Sequence, residues 1–373
     1  MRATFWVATA FVAYAYFGYA AWLWVLSHVR PWPLLRGDFL PSVSIVMVVR
    51  DEEKALPRKL QNLASLDYPS DRVDLIIVSD GSSDSTAQIL AEAAKSARCR
   101  ALIFDDLKGK SSRLNDALAI ATGEIVLFVD ARQEIERDAL RLLMENFVEK
   151  SVGCASGELM LGDATKGEAV KGMGAYWRVE KKVREWESTS GSVVGATGAL
   201  YAIRRSLVVP LPEDTILDDV FLPMHVARQG ARVIFDDRAR AWDSPDLGNK
   251  REFKRKVRTL TGNYQLLQIV PWIFSGENPL RFRFVSHKLL RLIVPFALAV
   301  MLVSSLFVTQ TFYRAAFFAQ ILFYAFALLT FSGVQRGPVA RIANAALTLI
   351  VLNTAAVIAC VNFLTGRKEV WIR

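Results

Sequence analysis

The sequence predicts an α/β fold: a mostly parallel sheet domain embedded between transmembrane helices. Two observations predict it. Hydrophobic residues make up 52% of the 373 residues, a larger share than an ordinary soluble protein carries. Long uncharged runs near the two ends account for the excess, and between them short β-rich runs alternate with amphipathic segments of helical length.

The first uncharged run lies between Arg2 and His28. At about 1.5 Å per residue it is long enough to cross a hydrocarbon core of about 30 Å. A cleaved signal peptide is the alternative, but the apolar part of such a peptide usually has only about 7 to 15 residues. We therefore predict an N-terminal transmembrane helix over residues 1–30.

Further uncharged runs predict about three C-terminal transmembrane helices over residues 286–366, followed by a tail over residues 367–373. An interfacial position is the alternative for residues 342–366. The runs lie between the arginines at 291 and 314, 314 and 336, and 341 and 367. Basic residues beside the spans place the middle of the chain in the cytoplasm under the positive-inside rule. Three C-terminal spans would place the tail outside the cytoplasm, and the positive charge of the tail opposes that position. The sequence therefore leaves the number of C-terminal spans open by one.

The formal net charge of +9 indicates anionic membrane lipids as partners rather than nucleic acid. The basic stretches "KREFKRKVR" and "RFRFVSHKLLR" are close to the predicted spans, and we interpret residues 249–285 as amphipathic interfacial helices. The three cysteines and three histidines are scattered, which matches neither a metal-binding spacing nor a disulfide framework.

Residues 41–248 carry the alternating pattern of a cytoplasmic domain. The runs "VSIVMVV", "VDLIIVSD", "ALIFDD" and "EIVLFVDAR" are typical of buried strands, and helical segments separate them. Right-handed crossovers then give parallel strands, with ligands bound beyond their carboxyl ends. Two of the strands end at an acid, Asp80 and Asp130.

A third acidic position follows in "TILDDVFLPMHVARQG", where Asp218 and Asp219 are adjacent before a helix. Neighbouring carboxylates repel each other, so one tends to bind a partner while the other, with a raised pKa, can act as a base. Complementing the helix dipole is the alternative for this pair. Helix capping is the alternative for the loop "SDGSSDST" after the second strand.

In combination, these motifs resemble the membrane-embedded inverting glycosyltransferases of family 2, which include cellulose, chitin, hyaluronan and poly-N-acetylglucosamine synthases. The likeness covers about residues 41–265 and implies a GT-A, Rossmann-like domain. It also implies transfer of a sugar from a nucleotide-sugar donor, a UDP-sugar, to a growing polysaccharide. A single transfer to a lipid carrier is one alternative. A catalytically weak subunit that binds nucleotide sugar for partner subunits is another.

The resemblance assigns the donor site to residues from three motifs. Val48, Arg50 and Glu52 lie in "SIVMVVRDEE", the first-strand motif that meets the nucleotide. Asp80 in "VSDGSSDST" is the candidate for holding the uridine. Lys110 in "KGKSSRLNDAL" is a candidate diphosphate contact.

Within these motifs, one further residue has an implied structural role, and two residues depart from the family pattern. Asn115 corresponds to a structural asparagine. Asp51 stands where the family often has asparagine, and Val48 stands where it often has proline.

The stretch "VDAR" occupies the place of the aspartate-x-aspartate motif, whose acids hold a divalent cation against the sugar diphosphate. Asp130 matches the first acid, but Arg132 replaces the second. The resemblance therefore implies Mg²⁺ or Mn²⁺ held by Asp130. Direct binding of phosphate by Arg132 is the alternative. A third interpretation pairs Arg132 with Glu134 or Glu136 at the surface.

The remaining motifs concern the acceptor. "ILDD" stands at the family's threonine-glutamate-aspartate signature, so Asp219 inherits the general-base role and Asp218 accompanies it. Gly198 in "GATGALYAIRR" is expected on the acceptor side. Tyr176, Trp177 and Trp186 are candidate sugar platforms.

In "EFKRKVRTLTGNYQLLQ", alignment on Gly262 and Gln265 makes Arg258 a phosphate contact. Thr259 falls where processive members carry a tryptophan that stacks on the acceptor. The usual sequence evidence for processive polymerisation is therefore missing.

Overall fold

The computed structural model describes residues 1–96, 98–163, 168–169, 175–243, 249–332 and 337–367. Within these ranges the side chains of residues 163, 168–169, 175–176, 249–251 and 331–332 lie outside the description. The predicted tail is therefore described only at Arg367. The strands are β1 Val43–Val49, β2 Val73–Asp80, β3 Cys99–Phe104, β4 Ile125–Val129, β5 Glu134–Ile135, β6 Val152–Asp163, β7 Glu168–Ala169, β8 Leu200–Arg204 and β9 Arg232–Asp243.

Among the described residues, the strands form one sheet in the order β3-β2-β1-β4-β8-β6-β9-β5, with β7 paired to β6. The β3-β2-β1-β4 half is parallel throughout, as the alternating pattern predicts. The other half is mixed, because β8 runs antiparallel to both β4 and β6 while β6 and β9 are parallel. The parallel half brings the ends of β1, β2 and β4 to one edge.

Apolar side chains cover both faces of this sheet, which is why its parallel strands read as continuous hydrophobic runs. Val46, Ile76 and Phe128 belong to the hydrophobic core on one face. Their sequence neighbours Ile45 and Ile77 belong to the core on the other face. Successive side chains of a strand point to opposite faces, so a one-residue shift in register would move every side chain to the wrong core.

The helices either cover the sheet or extend from the domain. They are α1 Arg2–Ala13, α2 Tyr19–Val29, α3 Leu56–Ala64, α4 Thr86–Ala93, α5 Lys110–Ile120, α6 Ala139–Glu145, α7 Ala175–Thr189, α8 Asp218–Arg228, α9 Asn249–Ile269, α10 Arg281–Phe284, α11 Leu290–Leu306, α12 Thr311–Phe326 and α13 Gly337–Leu364. π-Helical turns at Tyr14–Gly18 and Val285–Leu289 continue α1 into α2 and α10 into α11.

In the described parts of the chain, four continuous helical stretches are long and apolar enough to cross a membrane. They are Arg2–Val29, Arg281–Leu306, Thr311–Thr330 and Gly337–Leu364. In the part of the chain that the structure describes, the α/β domain and the adjoining helix α9 contact several of these stretches, including Arg281–Leu306, whose His287 Nδ1 lies 2.9 Å from Oε1 of Glu187 in α7. Tyr264 of α9 stacks on Phe363 of α13 with ring centroids 5.5 Å apart, and Val183 of α7 packs against Tyr19 and Leu23 of α2.

Candidate active site

The acidic residues predicted from the sequence come together at the edge where the parallel strands end. Lys110, the first residue of α5, lies between two of them. Its Nζ is 3.1 Å from Oδ1 of Asp130 and 3.3 Å from Oδ1 of Asp218. Burial opposes the charge of Lys110, but these two carboxylates outweigh it and raise the pKa of the ammonium above its ordinary value. The site therefore holds a fixed cation between the metal-motif acid and the first acid of "ILDD".

Asp218 is buried and held from its other side. Its Oδ2 accepts a hydrogen bond of 2.8 Å from the hydroxyl of Tyr201 in β8. The Tyr201 ring stacks on Phe128 of β4, with centroids 4.5 Å apart and an interplanar angle of 5°. Both carboxylate oxygens of Asp218 are thus engaged, which leaves it suited to positioning Lys110 rather than to accepting a proton.

Asp219 differs from its neighbour because it stays partly exposed. Its Oδ2 lies against Gly198, and a Cβ added to that glycine would come within 3.2 Å of the oxygen, so a larger residue there would press on the carboxylate. Burial and the Asp218 carboxylate raise the pKa of Asp219 to about 6, although Lys110 and Lys288 lower it. A carboxyl group with that pKa can accept a proton near neutral pH.

Asp80 is placed at the end of β2 but has an internal role in the structure. Its oxygens accept hydrogen bonds from the backbone N–H groups of Lys108 and Gly109, each 2.8 Å long, and from Nε of Arg113 at 3.0 Å. The carboxylate therefore shapes the loop that leads into α5 and Lys110. Contact between Asp80 and uridine stays a prediction.

The arginine of "VDAR" pairs with a residue of the first-strand motif. Nε of Arg132 donates a 2.7 Å hydrogen bond to Oε1 of Glu52. The surface pairing with Glu134 or Glu136 is therefore wrong: Glu134 binds Arg58, and Glu136 accepts from Trp242. Burial raises the pKa of Glu52, while Arg132 lowers it.

The residues after β1 form a turn that is tied to the loop after β2. Asp51 has a left-handed φ of 51°, a conformation that Asp and Asn adopt more readily than most residues. Its Oδ1 accepts from the backbone N–H of Ser83 at 2.8 Å. Val48 is partly exposed at the end of β1, and Arg50 lies with Nε 3.6 Å from Asp51 Oδ2. This turn therefore joins the Glu52–Arg132 pair to the "SDGSSDST" loop.

Helix α9 brings Arg258 to the acidic residues. Asp218, Asp130 and Asp219 all act on its guanidinium electrostatically, while burial, the largest influence, lowers its pKa. Its buried Nε has no hydrogen-bond partner among the described residues. A buried donor without a partner is costly, so this arginine is available to an anionic ligand.

Two other residues of α9 hold the "TILDD" loop in place. A Cβ on Gly262 would lie 2.6 Å from Cγ of Leu217, so only glycine allows this approach. Gln265 accepts from the backbone N–H of Ile216 at 3.0 Å and donates to the carbonyl of Asp214 at 2.8 Å. The structural role implied for Asn115 is also observed, since it exchanges two 2.8 Å hydrogen bonds with the backbone of Leu211.

The aromatic residues of α7 are the predicted sugar platforms on the acceptor side. Trp186 packs beside Tyr19, Leu23 and Val183, which favours a packing role, and its assignment as a sugar platform stays a prediction. Trp177 is partly exposed near the start of α7. The side chain of Tyr176 lies outside the described residues.

Sequence reasoning missed three side chains at this edge. No sequence pattern indicates Tyr201, because its role depends on a hydrogen bond to Asp218, which is 17 residues away. A sequence pattern does indicate Lys59, because this lysine lies on the apolar face of α3 with Leu56 and Leu63. It donates a 2.6 Å hydrogen bond to the carbonyl of Gln133, and burial lowers its pKa to about 7. Arg113 is buried between Asp80, Asp106 and Asp116.

The carboxylates at this edge fit a divalent cation only if a substrate supplies its other ligands. Among the described residues, no three His, Cys, Asp or Glu side chains are close enough to hold a metal ion. Magnesium commonly takes just one or two carboxylates and obtains its other ligands from phosphates and water. Partly exposed Asp130 could supply one such carboxylate, so the residues fit a cation bound along with a diphosphate.

Comparison with known proteins agrees with this geometry. Residues 44–209 match the family model described as glycosyl transferase family 2. The mannosyltransferase PcManGT from Pyrobaculum calidifontis, solved with GDP-Man and Mn²⁺, has a similar fold. Its TM-score is 0.74 at 20% identity, over 98% of this chain and 99% of that one.

Two curated relatives are similar in sequence. A β-monoglucosyldiacylglycerol synthase from Synechocystis is 30% identical over 215 residues, covering 52% of this chain and 43% of the relative. A poly-β-1,6-N-acetyl-D-glucosamine synthase from Staphylococcus aureus is 23% identical over 242 residues, covering 63% and 58%. The chain spans less than two thirds of either relative. Residues 44–209 of this chain are thus similar to a glycosyl transferase family 2 domain.

Proposed function

We propose that this protein is a glycosyltransferase that transfers a sugar, with inversion, from a UDP-sugar to a hydroxyl group of an acceptor held at the membrane. The observation that carries the proposal is the contrast between two adjacent acids. Asp218 is fixed by Tyr201 and Lys110, whereas Asp219 is partly exposed beside Gly198 with a pKa of about 6. One acid holds the cation, and the other is free to take a proton.

The reaction is a single displacement. Asp219 takes the proton of the acceptor hydroxyl, whose oxygen forms a bond to the anomeric carbon from the face opposite the nucleotide. The bond from that carbon to the diphosphate breaks, and the diphosphate leaves with the electron pair. Attack from the opposite face inverts the anomeric configuration.

Cationic side chains receive the leaving diphosphate. Lys110 and Arg258 approach it from the side of the acids, and Arg132 from the end of β4. A Mg²⁺ or Mn²⁺ ion held by Asp130 would neutralise further charge on the same group. Glu52 orients Arg132 for this task through their 2.7 Å hydrogen bond.

The acceptor has two candidates. The poly-N-acetylglucosamine synthase relative suggests a growing polysaccharide, which requires that a sugar chain be held and passed on. Exposed Thr259, where processive enzymes carry tryptophan, favours a single transfer to a lipid. The name of the glucosyldiacylglycerol synthase relative is consistent with this second candidate.

The membrane arrangement belongs to the same proposal. We place the α/β domain on the cytoplasmic side of an inner or plasma membrane, because the basic residues around it follow the positive-inside rule. The basic helix α9 would then rest on anionic headgroups. Partner subunits are compatible with this arrangement.

A donor panel tests the proposal. Purified protein in lipid vesicles is given UDP-sugars and GDP-sugars in turn, and the released nucleotide is measured. We expect release from at least one UDP-sugar and a product with inverted anomeric configuration by NMR. Binding of the donor without any release would instead indicate the non-catalytic, nucleotide-sugar-binding subunit.

A further inference from the structure

The loop at residues 195–198, just before β8, lies directly against Asp219. The backbone N–H of Ala196 donates a 2.7 Å hydrogen bond to the carbonyl oxygen of Asp219. A Cβ added to Gly195 would come within 3.2 Å of that carbonyl oxygen, and one added to Gly198 would come within 3.2 Å of Oδ2 of Asp219. The position of this loop therefore determines where the Asp219 carboxylate can lie.

Arg184 of α7 holds the loop through two hydroxyl groups. Its Nη1 donates a 2.7 Å hydrogen bond to Oγ1 of Thr197, and its Nη2 donates a 2.8 Å hydrogen bond to Oγ of Ser156 in β6. The same Oγ of Ser156 also accepts from the backbone N–H of Thr197 at 2.8 Å. A guanidinium is a planar group with several donors, so it can hold two acceptors in a fixed geometry.

The hydroxyl of Thr197 is used in both directions. It accepts from Arg184 and donates a 2.7 Å hydrogen bond to the carbonyl of Gly157 in β6. The loop is therefore attached to a strand of the sheet on one side and to a helix on the other. Its small residues can approach Asp219 closely, but they rely on Arg184 and Ser156 for their position.

Arg184 is itself held in place by its surroundings. Its guanidinium carbon lies 4.4 Å from the centre of the Phe235 ring, a favourable position for a cation. Glu180 and Glu187, one turn before and after it on α7, contact His287 of the span Arg281–Leu306 at 2.8 and 2.9 Å. The helix that carries Arg184 is therefore fastened to the membrane span.

We propose that Arg184 is a positioning residue for Asp219: by holding Thr197, it keeps residues 195–198 against Asp219 and the carboxylate directed at the acceptor hydroxyl. The proposal rests on the proposed function, in which Asp219 takes the proton of that hydroxyl. A shift of a reacting group by about 1 Å can slow a reaction by about 10². A residue that acts only through the loop can therefore have a large effect on turnover.

The test measures turnover and donor affinity on the full chain in lipid vesicles. Turnover is measured with the UDP-sugar from which wild type releases nucleotide fastest, and the Kd for UDP is measured by calorimetry. Arg184→Met removes both hydrogen bonds to the hydroxyls. We expect kcat to fall by about 10- to 100-fold, as for a small displacement of the base, while the Kd for UDP stays near the wild-type value.

Thr197→Val is the second variant, because it removes the hydroxyl and keeps the branched shape. It should lower kcat in the same direction, also without changing the Kd for UDP. The double variant with Arg184→Met should be little slower than Arg184→Met alone, since both changes break the same contact. It decides the question if Arg184→Met alone does not fold, because Thr197→Val can then be compared directly with wild type.

Two further variants show whether the geometry of the guanidinium matters. Arg184→Lys keeps the charge but cannot hold two hydroxyls in the same fixed geometry, so its kcat should lie between those of wild type and Arg184→Met. Arg178→Met removes an exposed arginine of the same helix. It should leave both kcat and the Kd for UDP unchanged, as a control for surface charge on α7.

Three results would overturn the proposal. They are a wild-type kcat in Thr197→Val, a Kd for UDP that rises in Arg184→Met as much as kcat falls, and full additivity in the double variant. Release of nucleotide by wild type with an unchanged kcat in Arg184→Met would refute the positioning role alone. Failure of wild type to release nucleotide from any donor would refute the proposed function, and the positioning role with it.

Discussion

Nε of Arg132 lies 2.7 Å from Oε1 of Glu52, so the arginine that replaces the second acid of the metal motif is tied to the turn after the first strand. Its side chain is nevertheless 55% exposed. Exposed ion pairs contribute little to stability, typically about 0 to 1 kcal/mol. We infer that this pair orients Arg132 for a ligand more than it stabilises the fold.

If Arg132 neutralises the donor diphosphate, Arg132→Asp should make activity markedly more dependent on added metal. The variant loses a cation and gains a carboxylate near Asp130, as in enzymes with two motif acids. The measurement is a manganese titration of transfer rate for both proteins.

Arg137→Asp is the matched control, because it reverses an exposed charge just beyond the short strand β5. It should leave the manganese curve unchanged. Superimposable curves and equal maximal rates for wild type and Arg132→Asp would show that Arg132 does not contribute to donor binding.

Tyr201→Phe should weaken the placement of Lys110. The change removes the donor to Asp218 Oδ2 and leaves that buried oxygen short of one hydrogen bond, which costs about 1–3 kcal/mol. We expect weaker nucleotide binding by calorimetry, with the acceptor KM unchanged. The effect should be largely absent when Asp218→Asn is already present, and a fully additive double variant would separate Tyr201 from the donor site.

The raised pKa of Asp219 predicts a change in stability with pH. The folded state favours the protonated carboxyl, so this group stabilises the protein at low pH and loses that contribution as pH rises from about 4 to about 6. Asp219→Asn resembles the protonated form. Its Tm should therefore exceed that of wild type at pH 7.5 and approach it near pH 4. A Tm difference that does not change with pH would contradict the raised pKa.

Gly262→Ala should disturb the loop that carries the catalytic acids. The added Cβ would lie 2.6 Å from Cγ of Leu217, immediately before Asp218, and overpacking of this kind costs about 1–3 kcal/mol. We expect lower Tm and lower kcat. Gly276→Ala, where nothing lies within 4 Å of the added Cβ, is the control, and equal behaviour of the two variants would show that the close approach is unimportant.

The parallel half of the fold was predictable because its information is local. Buried parallel strands carry continuous apolar runs, and acids such as Asp130 stand directly after them. The mixed half was not, since the pairing of β6 with β9 depends on contacts between residues about 80 positions apart. Hydrophobic length similarly indicated the spans, but not the π-turn at Val285–Leu289.

The position of site residues was predictable where a residue belongs to a local motif, as for Asp219 and Lys110, whose roles stay predictions. It was not predictable where two distant residues share a task. Nothing in "VDAR" indicates that Arg132 pairs with Glu52, and nothing in "VSDGSSDST" indicates that Asp80 binds Arg113 and two backbone N–H groups. Such pairs are set by packing, which brings together residues from different strands and loops.

The proton acceptor is also expected to limit the rate at low pH. With a pKa of about 6 in the nucleotide-free protein, kcat/KM should fall as pH decreases through 6, because the base becomes protonated. A pH profile from 5 to 8 measures this. A flat acid limb over that range would assign the proton to another group.

The role of Asp219 as general base is the central claim, and Asp219→Asn tests it most directly when turnover and nucleotide affinity are measured on the same preparation. The account predicts that kcat falls by about 10² to 10⁴, as is typical for loss of a general base, while the Kd for UDP stays near the wild-type value. Glu213→Gln, which changes an exposed acid in the loop before α8, should retain both. Unchanged turnover in Asp219→Asn, or loss of turnover in proportion to loss of UDP binding, would contradict the account.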